Sequence, residues 1–139
     1  MKIVLDTNIL ISYGLGNKDA KKLLDYITSG DYEVVADERL LHEYKNIPLR
    51  KKFGFSKDII KLIDEWINDN ILIKQVKSRT VKFNPDRQDS KIIEIAESFA
   101  CKYIITDDKQ ILNRASHLTG AKILNLNSAL DLFINTFSH

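Results

Sequence analysis

The feature that most constrains the fold is an alternation of two apolar patterns along the chain. Short runs rich in β-branched residues alternate with longer stretches whose apolar residues recur at helical spacing. The short runs predict strands and the longer stretches predict amphipathic helices, and strands that alternate with helices build parallel sheets through crossover connections. The sequence therefore predicts a three-layer α/β/α fold. Because no linker or repeat interrupts the pattern, we expect a single domain over residues 1–139.

Five strands and six helices are predicted from these patterns. The predicted strands are Lys2–Leu5, Tyr32–Ala36, Ile71–Val76, Tyr103–Thr106 and Lys122–Leu126. The predicted helices are Asp19–Ser29, Asp37–Asn46, Lys57–Asn68, Ser90–Cys101, Lys109–Ser116 and Ser128–Phe137. The first and fourth strands are continuous apolar runs, which is typical of central strands covered on both faces. The third strand mixes apolar and polar residues, and we expect it at an edge of the sheet.

Composition excludes several classes of protein. Hydrophobic residues make up 44% of the chain and charged residues 29%, which is typical of globular domains and too apolar for a disordered chain. No run approaches the length of a membrane span and the first residues do not resemble a signal peptide, so we expect no membrane contact. Cys101 has no disulfide partner, and we expect it in the core of a protein of the reducing cytoplasm.

Acidic residues directly follow the two strands expected at the centre of the sheet. Asp6 ends the first strand, and Asp107 and Asp108 follow the fourth. Open α/β sheets bind ligands at the carboxyl ends of their strands, so these positions predict a site. The alternative is that Asp6 or Asn8 only caps the next helix. In neighbouring strands such carboxylates repel each other by up to about 4 kcal/mol per pair, and a divalent cation removes this repulsion.

Glu43 lies on a helix face that is expected to point inward. It shares the apolar stripe of Leu40, Tyr44 and Ile47. A carboxylate is costly to bury without a partner, so one interpretation is a bound cation or a cavity. The other is a boundary position at which Glu43 reaches water or pairs with a lysine.

Asp89 is the third candidate among the acids. It precedes Ile92, Ile93 and Ala96 in helical register, which places it on the inward face of a helix. It also lies in the first turn, where the helix dipole stabilises any acid. Asp86 competes with Asp89 for the site, but only Asp89 keeps the register.

The acids together predict a site for a hard divalent cation. Mg²⁺ and Mn²⁺ prefer oxygen ligands, and either ion polarises a phosphodiester and activates water. Whether one ion or two bind stays open. A zinc site is excluded because His42, His117 and His139 lack the spacing of zinc ligands.

The segment Pro48–Ser56 is predicted to be a connection with a basic and partly apolar surface. One interpretation is a nucleic-acid contact, with cations on phosphates and a phenylalanine near a base. The other is a solvated loop whose phenylalanines anchor it to the core. Candidates for guiding a phosphate backbone are Lys45, Arg50, Lys51 and Lys52.

Four segments together resemble one known family. KIVLDTNIL, LLHEYKNI, QDSKIIEIA and KYIITDDKQIL are similar in order and spacing to the motifs of the PIN-domain family of metal-dependent ribonucleases. The resemblance implies a five-stranded parallel sheet in the order 3-2-1-4-5. It also implies that Mg²⁺ or Mn²⁺ is held by four acids while a threonine and an asparagine complete the catalytic site. The residues that match these motifs are Asp6, Glu43, Asp89 and Asp108, with Asn8 and Thr106.

The closest subgroup by resemblance contains toxin components of toxin–antitoxin pairs. Their third motif is typically an acidic run such as D-P-D-D-D-K, where this chain has NPDRQDSK, and this difference leaves Asp86 and Asp89 as alternatives. The resemblance implies endonucleolytic cleavage of single-stranded RNA, a cognate antitoxin and a homodimer. A housekeeping RNA-processing nuclease fits the same motifs.

Other classes fit the sequence less well. A non-catalytic PIN-like module that binds RNA or protein is the main alternative, but it would be favoured by the loss of an acid, and all four are present. A phosphoacceptor receiver domain should carry paired acids near the first strand and a lysine after the fifth. A Rossmann or P-loop enzyme should carry a glycine-rich loop after the first strand, and none is present.

Overall fold

The computed structural model of the protein describes residues 1–76, 87–114 and 119–137. The strands are β1 (Lys2–Leu5), β2 (Glu33–Ala36), β3 (Ile71–Ile73), β4 (Tyr103–Ile105) and β5 (Lys122–Leu124). The α-helices are α1 (Thr7–Gly14), α2 (Lys18–Ser29), α3 (Glu38–Asn46), α4 (Lys57–Asn70), α5 (Arg87–Ser98), α6 (Lys109–Arg114) and α7 (Leu126–Phe137). Two 3₁₀ turns, Ile47–Leu49 and Lys51–Phe53, separate α3 from α4.

The five strands form one parallel sheet in the order β3-β2-β1-β4-β5, with helices on both faces. The predicted three-layer α/β/α fold and strand order are confirmed. The prediction that the third strand lies at an edge is also confirmed. Hydrophobic side chains of β1 and β4 are buried, as their continuous apolar runs predict.

The register of β1 and β4 brings their carboxyl ends together. Leu5 pairs with Ile105, and the next amide along β1, that of Asp6, donates a 2.9 Å hydrogen bond to the carbonyl of Ile105. Asp6 and Thr106 therefore leave the sheet side by side. The acids that follow these two strands are brought to one edge, as their sequence positions predict.

Helix α1 was not among the predicted helices. Its sequence, TNILISYG, is a short apolar run rich in isoleucine, and periodicity does not separate a strand from a buried helix in so short a run. Asp6 caps this helix by accepting a 2.8 Å hydrogen bond from the amide of Thr7. Ile9 and Leu10 are fully buried in the core.

Four of the five predicted strands are shorter in the structure. The second begins at Glu33 rather than Tyr32, and the fourth ends at Ile105 rather than Thr106. The third ends at Ile73 rather than Val76. The fifth ends at Leu124, and the Leu126 amide instead begins α7 by donating a 2.8 Å hydrogen bond to Asp107 Oδ1. Asn125 also accepts a hydrogen bond from the first turn of α7. These side-chain acceptors make a helix start more favourable here than a longer strand.

The sequence also predicts a buried Cys101 and no membrane span. Cys101 is buried in the core, as predicted, and burial raises the pKa of its thiol to about 11. Within the described ranges, no helix is both long and apolar enough to cross a membrane.

Candidate active site

A cleft of about 240 Å³ opens at the carboxyl ends of β1 and β4. Three of the four predicted acids and Asn8 line it, together with an apolar wall. The acids are Asp6, Glu43 and Asp108, and the wall includes Ile11, Ile47, Phe53, Ile92 and Ile111. Carboxylates from the first strand end, from α3 and from the fourth strand end thus face one space.

Asp6 is the most extensively bonded acid of the cleft. Its Oδ2 atom accepts hydrogen bonds from Thr106 Oγ1 at 2.6 Å and from Asn8 Nδ2 at 3.1 Å. Its Oδ1 atom accepts from the amide of Thr7. The carboxylate caps α1, as one interpretation predicts, and it also faces the cleft, while its role as a metal ligand stays a prediction.

Thr106 connects the ends of the two central strands. The residue is fully buried, and its Oγ1 atom accepts hydrogen bonds from the Asp108 amide at 3.0 Å and from Asn8 Nδ2 at 3.3 Å. The Asp108 carboxylate in turn accepts a 2.9 Å hydrogen bond from the amide of Gln110, in the first turn of α6. The side chains of Asp6 and Asn8 and the backbone of Asp108 are therefore held around one buried hydroxyl.

Burial raises the pKa of Asp6 to about 6. Hydrogen bonds from Thr106 and from the Thr7 amide oppose this rise, and the negative charges of Glu43 and Asp108 add to it. The raised pKa shows that the ionised form of this carboxyl is costly in the cleft. A cation beside it would lower that cost.

Glu43 is paired with a lysine that sequence reasoning did not single out. Lys91 Nζ donates to Glu43 Oε1, and Thr7 Oγ1 contacts Glu43 Oε2 at 3.4 Å. Both partners of the ion pair are mostly buried, since 13% of the Lys91 side chain and 18% of the Glu43 side chain are exposed. The boundary interpretation of Glu43 as a residue paired with a lysine is thus realised, although Glu43 also lines the cleft.

Asp89 lies in the first turn of α5, and its side chain is outside the described part of the structure. Asp86 lies outside the described residues altogether. The choice between them as the third acid stays a prediction. The adjacent turn of α5 does face the cleft, because Ile92 lines it and Lys91 reaches Glu43.

The predicted metal ligands can be compared with the chemistry of Mg²⁺ and Mn²⁺. The donors are carboxylate oxygens, which these ions prefer, and Asp6 carries a raised pKa that a cation would reverse. In the part of the chain that the structure describes, no three His, Cys, Asp or Glu side chains stand close enough to form a metal site. The donor types therefore fit the ion, while Glu43 is occupied by the ammonium group of Lys91.

Arg39 connects α3 and α5, the two helices that carry the predicted acids Glu43 and Asp89. Its guanidinium contacts Asp37 Oδ2 at 2.7 Å and Glu94 Oε2 at 2.9 Å, and both carboxylates are buried. Asp37 also caps α3 through the Leu40 amide. This bridge sets the spacing between α3, which carries Glu43, and α5, which carries Asp89. Glu94 lies far from Arg39 in sequence, so no local pattern indicates this half of the bridge.

One phenylalanine of the basic connection packs against the core, as one interpretation predicts, while the nucleic-acid contact stays a prediction. Phe55 packs against the core, whereas Phe53 lines the cleft. Arg50, Lys51 and Lys52 are exposed around Phe53. The fourth candidate cation, Lys45, lies elsewhere: its Nζ atom is 2.9 Å from Asn68 Oδ1 and 3.5 Å from Asp64 Oδ1, both on α4.

Comparison with known proteins identifies the family. The family model described as PIN domain matches residues 2–110, which include both central strands and all four predicted acids. The chain belongs to the PIN-domain family. PIN domains are generally nucleases and typically use divalent metal ions. The PIN-domain match ends before β5 and α7, and no curated protein matches the sequence.

Proposed function

We propose that this PIN domain is a divalent-metal-dependent endoribonuclease that hydrolyses phosphodiester bonds of single-stranded RNA. The observation that carries the proposal is the meeting of Asp6 and Asp108 in one cleft at the ends of adjacent parallel strands, around the buried hydroxyl of Thr106. Family membership supports a nuclease, and the donor types support an oxygen-seeking ion.

In this proposal Asp6, Glu43, Asp89 and Asp108 hold Mg²⁺ or Mn²⁺ directly or through water. The bound ion would supply Lewis-acid polarisation of the phosphodiester and activation of the attacking water. Asn8 and Thr106 orient the carboxylate of Asp6 through the hydrogen bonds that they donate to it.

The charge of the cleft supports the proposed role of an ion in this reaction. Three acids face the space that a phosphodiester would enter, and only Glu43 has a cationic partner among the described residues. A bare cluster of this kind repels phosphate. Arg50, Lys51 and Lys52 are exposed beside the cleft and would attract the RNA backbone, and Lys45 is a further candidate on α3.

The test is cleavage by purified protein of unstructured and structured RNA, with Mn²⁺ or with chelator. Asp6→Asn and Asp108→Asn should each abolish metal-dependent cleavage of the unstructured RNA, whereas Asp131→Asn, on the exposed face of α7, should not change it. Cleavage that survives both substitutions in the cleft would contradict the proposed site. Binding of RNA without cleavage would favour the non-catalytic module instead.

A second readout does not depend on activity. Mn²⁺ should raise the melting temperature of the wild-type protein, because an ion that binds only the folded state stabilises it by mass action. Asp6→Asn should lose this rise and Asp131→Asn should keep it. An equal rise in all three proteins would place the ion outside the cleft.

We further propose that the chain acts as the toxin of a toxin–antitoxin pair in the cytoplasm, as a homodimer controlled by an antitoxin protein. The support is the resemblance of its motifs to that subgroup. Induced expression should arrest growth of a host cell, Asp6→Asn should relieve the arrest, and a small protein encoded next to this gene should form a complex with the chain. Normal growth with an active enzyme would favour a housekeeping nuclease.

A further inference from the structure

We infer that Phe53 and Lys52 form a nucleotide subsite at the edge of the cleft, in which Phe53 stacks on an unpaired base and Lys52 contacts the adjoining phosphate. The inference rests on the proposed function for the identity of the ligand, single-stranded RNA. It adds the residues that bind a base beside the scissile bond.

The first argument is the position of Phe53. The side chain lines the same cleft as Asp6, Glu43 and Asp108, and it is only partly buried. A large aromatic ring that lines a cleft together with carboxylates does not take part in metal coordination. It does provide a flat apolar surface next to the space that a phosphodiester would occupy.

The second argument is that the backbone and a second ring hold Phe53 in place. Gly54 follows it with a left-handed φ of 62°, which turns the chain so that Phe53 and Phe55 stack with centroids 5.6 Å apart and planes at 17°. Phe55 fits directly over Gly14 of α1, where an added Cβ would lie only 2.8 Å from its ring. An anchored ring thus supports a partly exposed one, and little side-chain freedom remains to be lost on binding.

The third argument is charge. Lys52 Nζ lies over the ring of Phe53, 5.0 Å from its centroid, so a base that stacks on this face displaces the ammonium group towards the adjoining phosphate. Arg50 and Lys51 are exposed in the same turns. No acidic residue occurs in the sequence between Glu43 and Asp58. An aromatic ring within a positive segment is the combination by which proteins bind single strands without reading their sequence. In a duplex the bases are already stacked on each other, so the ring favours unpaired RNA.

Binding is measured by fluorescence anisotropy of labelled single-stranded oligoadenylate, with Mg²⁺ present and Asp108→Asn as the background that prevents cleavage. Phe53→Leu should weaken binding roughly tenfold, while Phe53→Tyr should restore it. Leu49→Ala is the matched control, because Leu49 is an exposed apolar residue of the neighbouring 3₁₀ turn that does not line the cleft. It should bind as the parent does.

An oligomer of the same length without bases identifies the contact. If Phe53 stacks on a base, Phe53→Leu should have no effect on the affinity for this abasic strand. Lys52→Met should weaken the binding of both strands. It should also reduce the slope of log affinity against log salt concentration by about one. If Phe53→Leu lowers the affinity for both strands equally, or lowers it for neither, the subsite is overturned.

A spectroscopic readout checks the stacking directly. In a Trp66→Phe background, which removes the only native tryptophan, Phe53→Trp should show fluorescence that is quenched by oligoadenylate and unchanged by the abasic strand. An unchanged signal with both strands would contradict stacking. Melting temperatures of all variants verify that they are folded.

The outcomes separate this inference from the proposed function. Cleavage of RNA by the wild-type protein with no effect of Phe53→Leu on binding or cleavage would overturn the subsite and leave the nuclease standing. Base-dependent binding through Phe53 without any cleavage would support the subsite and overturn the nuclease.

Discussion

Thr106 Oγ1 donates a 2.6 Å hydrogen bond to Asp6 Oδ2, across the ends of the two central strands. The same hydroxyl accepts from the Asp108 amide at 3.0 Å. One buried side chain thereby sets the orientation of one acid and the backbone that carries the other. The hydroxyl also opposes the effect of burial on the pKa of Asp6.

Thr106→Val should impair the site while keeping the fold. The substitution removes the donor to Asp6 at nearly constant volume, so the pKa of Asp6 should rise above its value of about 6. Because a metal ligand must be ionised, the acid limb of the pH–cleavage profile should move to higher pH, and Mn²⁺ affinity should fall by roughly ten- to a hundredfold. Thr106→Ser should restore both. An unchanged acid limb would show that Asp6 does not control it.

Asp6→Asn should stabilise the metal-free protein near neutral pH. The pKa of Asp6 is raised from 3.8 to about 6, so the folded state favours the protonated form. The contribution of this preference to the free energy of unfolding is fully present below about pH 4 and is lost as the pH rises through 6. A pKa shift of this size corresponds to a decrease of about 3 kcal/mol at most in the free energy of unfolding at high pH. Asparagine carries no charge, so the variant does not show this decrease.

Urea unfolding in chelator measures this effect. The free energy of unfolding of Asp6→Asn should exceed that of the wild type at about pH 7.5, and the difference should shrink towards about pH 4. A wild-type protein that is the more stable of the two at neutral pH would contradict the assigned burial. The reverse order is expected once Mn²⁺ is added, since only the wild type gains from the ion.

Lys91→Met should tighten metal binding. The ammonium group of Lys91 pairs with Glu43 and so competes with an ion for that carboxylate. Its removal should lower the free energy of unfolding in chelator by about 3 kcal/mol, because Glu43 then loses its cationic partner and keeps only the contact with Thr7 Oγ1. The dissociation constant for Mn²⁺, measured by calorimetry, should fall by roughly tenfold.

A matched control for this variant is Lys122→Met, which removes an exposed lysine from β5. It should change neither the stability nor the affinity for Mn²⁺. Weaker binding of Mn²⁺ by Lys91→Met would show that this lysine supports the metal site rather than competing with it.

Gly14→Ala should destabilise the protein and displace the aromatic pair beside the cleft. The added methyl group would lie 2.8 Å from the ring of Phe55 and 2.9 Å from Ile63 Cδ1, so at least one of them must move. Overpacking of this kind costs about 1–3 kcal/mol. Gly120→Ala is the control, since an added Cβ there meets nothing within 4 Å. Equal melting temperatures for the two variants would contradict this packing.

The strand order and the position of the site were accessible from the sequence. Continuous apolar runs mark strands that are covered on both faces, and an acid directly after such a run must emerge at the carboxyl edge of the sheet. Asp6 and Asp108 were therefore predictable from their neighbours in the chain. The strand order itself came from resemblance to a family and was confirmed by the pairing of β1 with β4.

Tertiary structure alone decided which partners the predicted residues have. The stripe of α3 showed that Glu43 points inward, but its partner Lys91 is 48 residues away. Arg39 in α3 bridges to Glu94 in α5, and Phe55 meets Gly14 from another part of the chain. Periodicity reports only whether a side chain faces the core, because it depends on neighbours within a turn or two of the backbone. Which side chain it meets there depends on how separate elements pack.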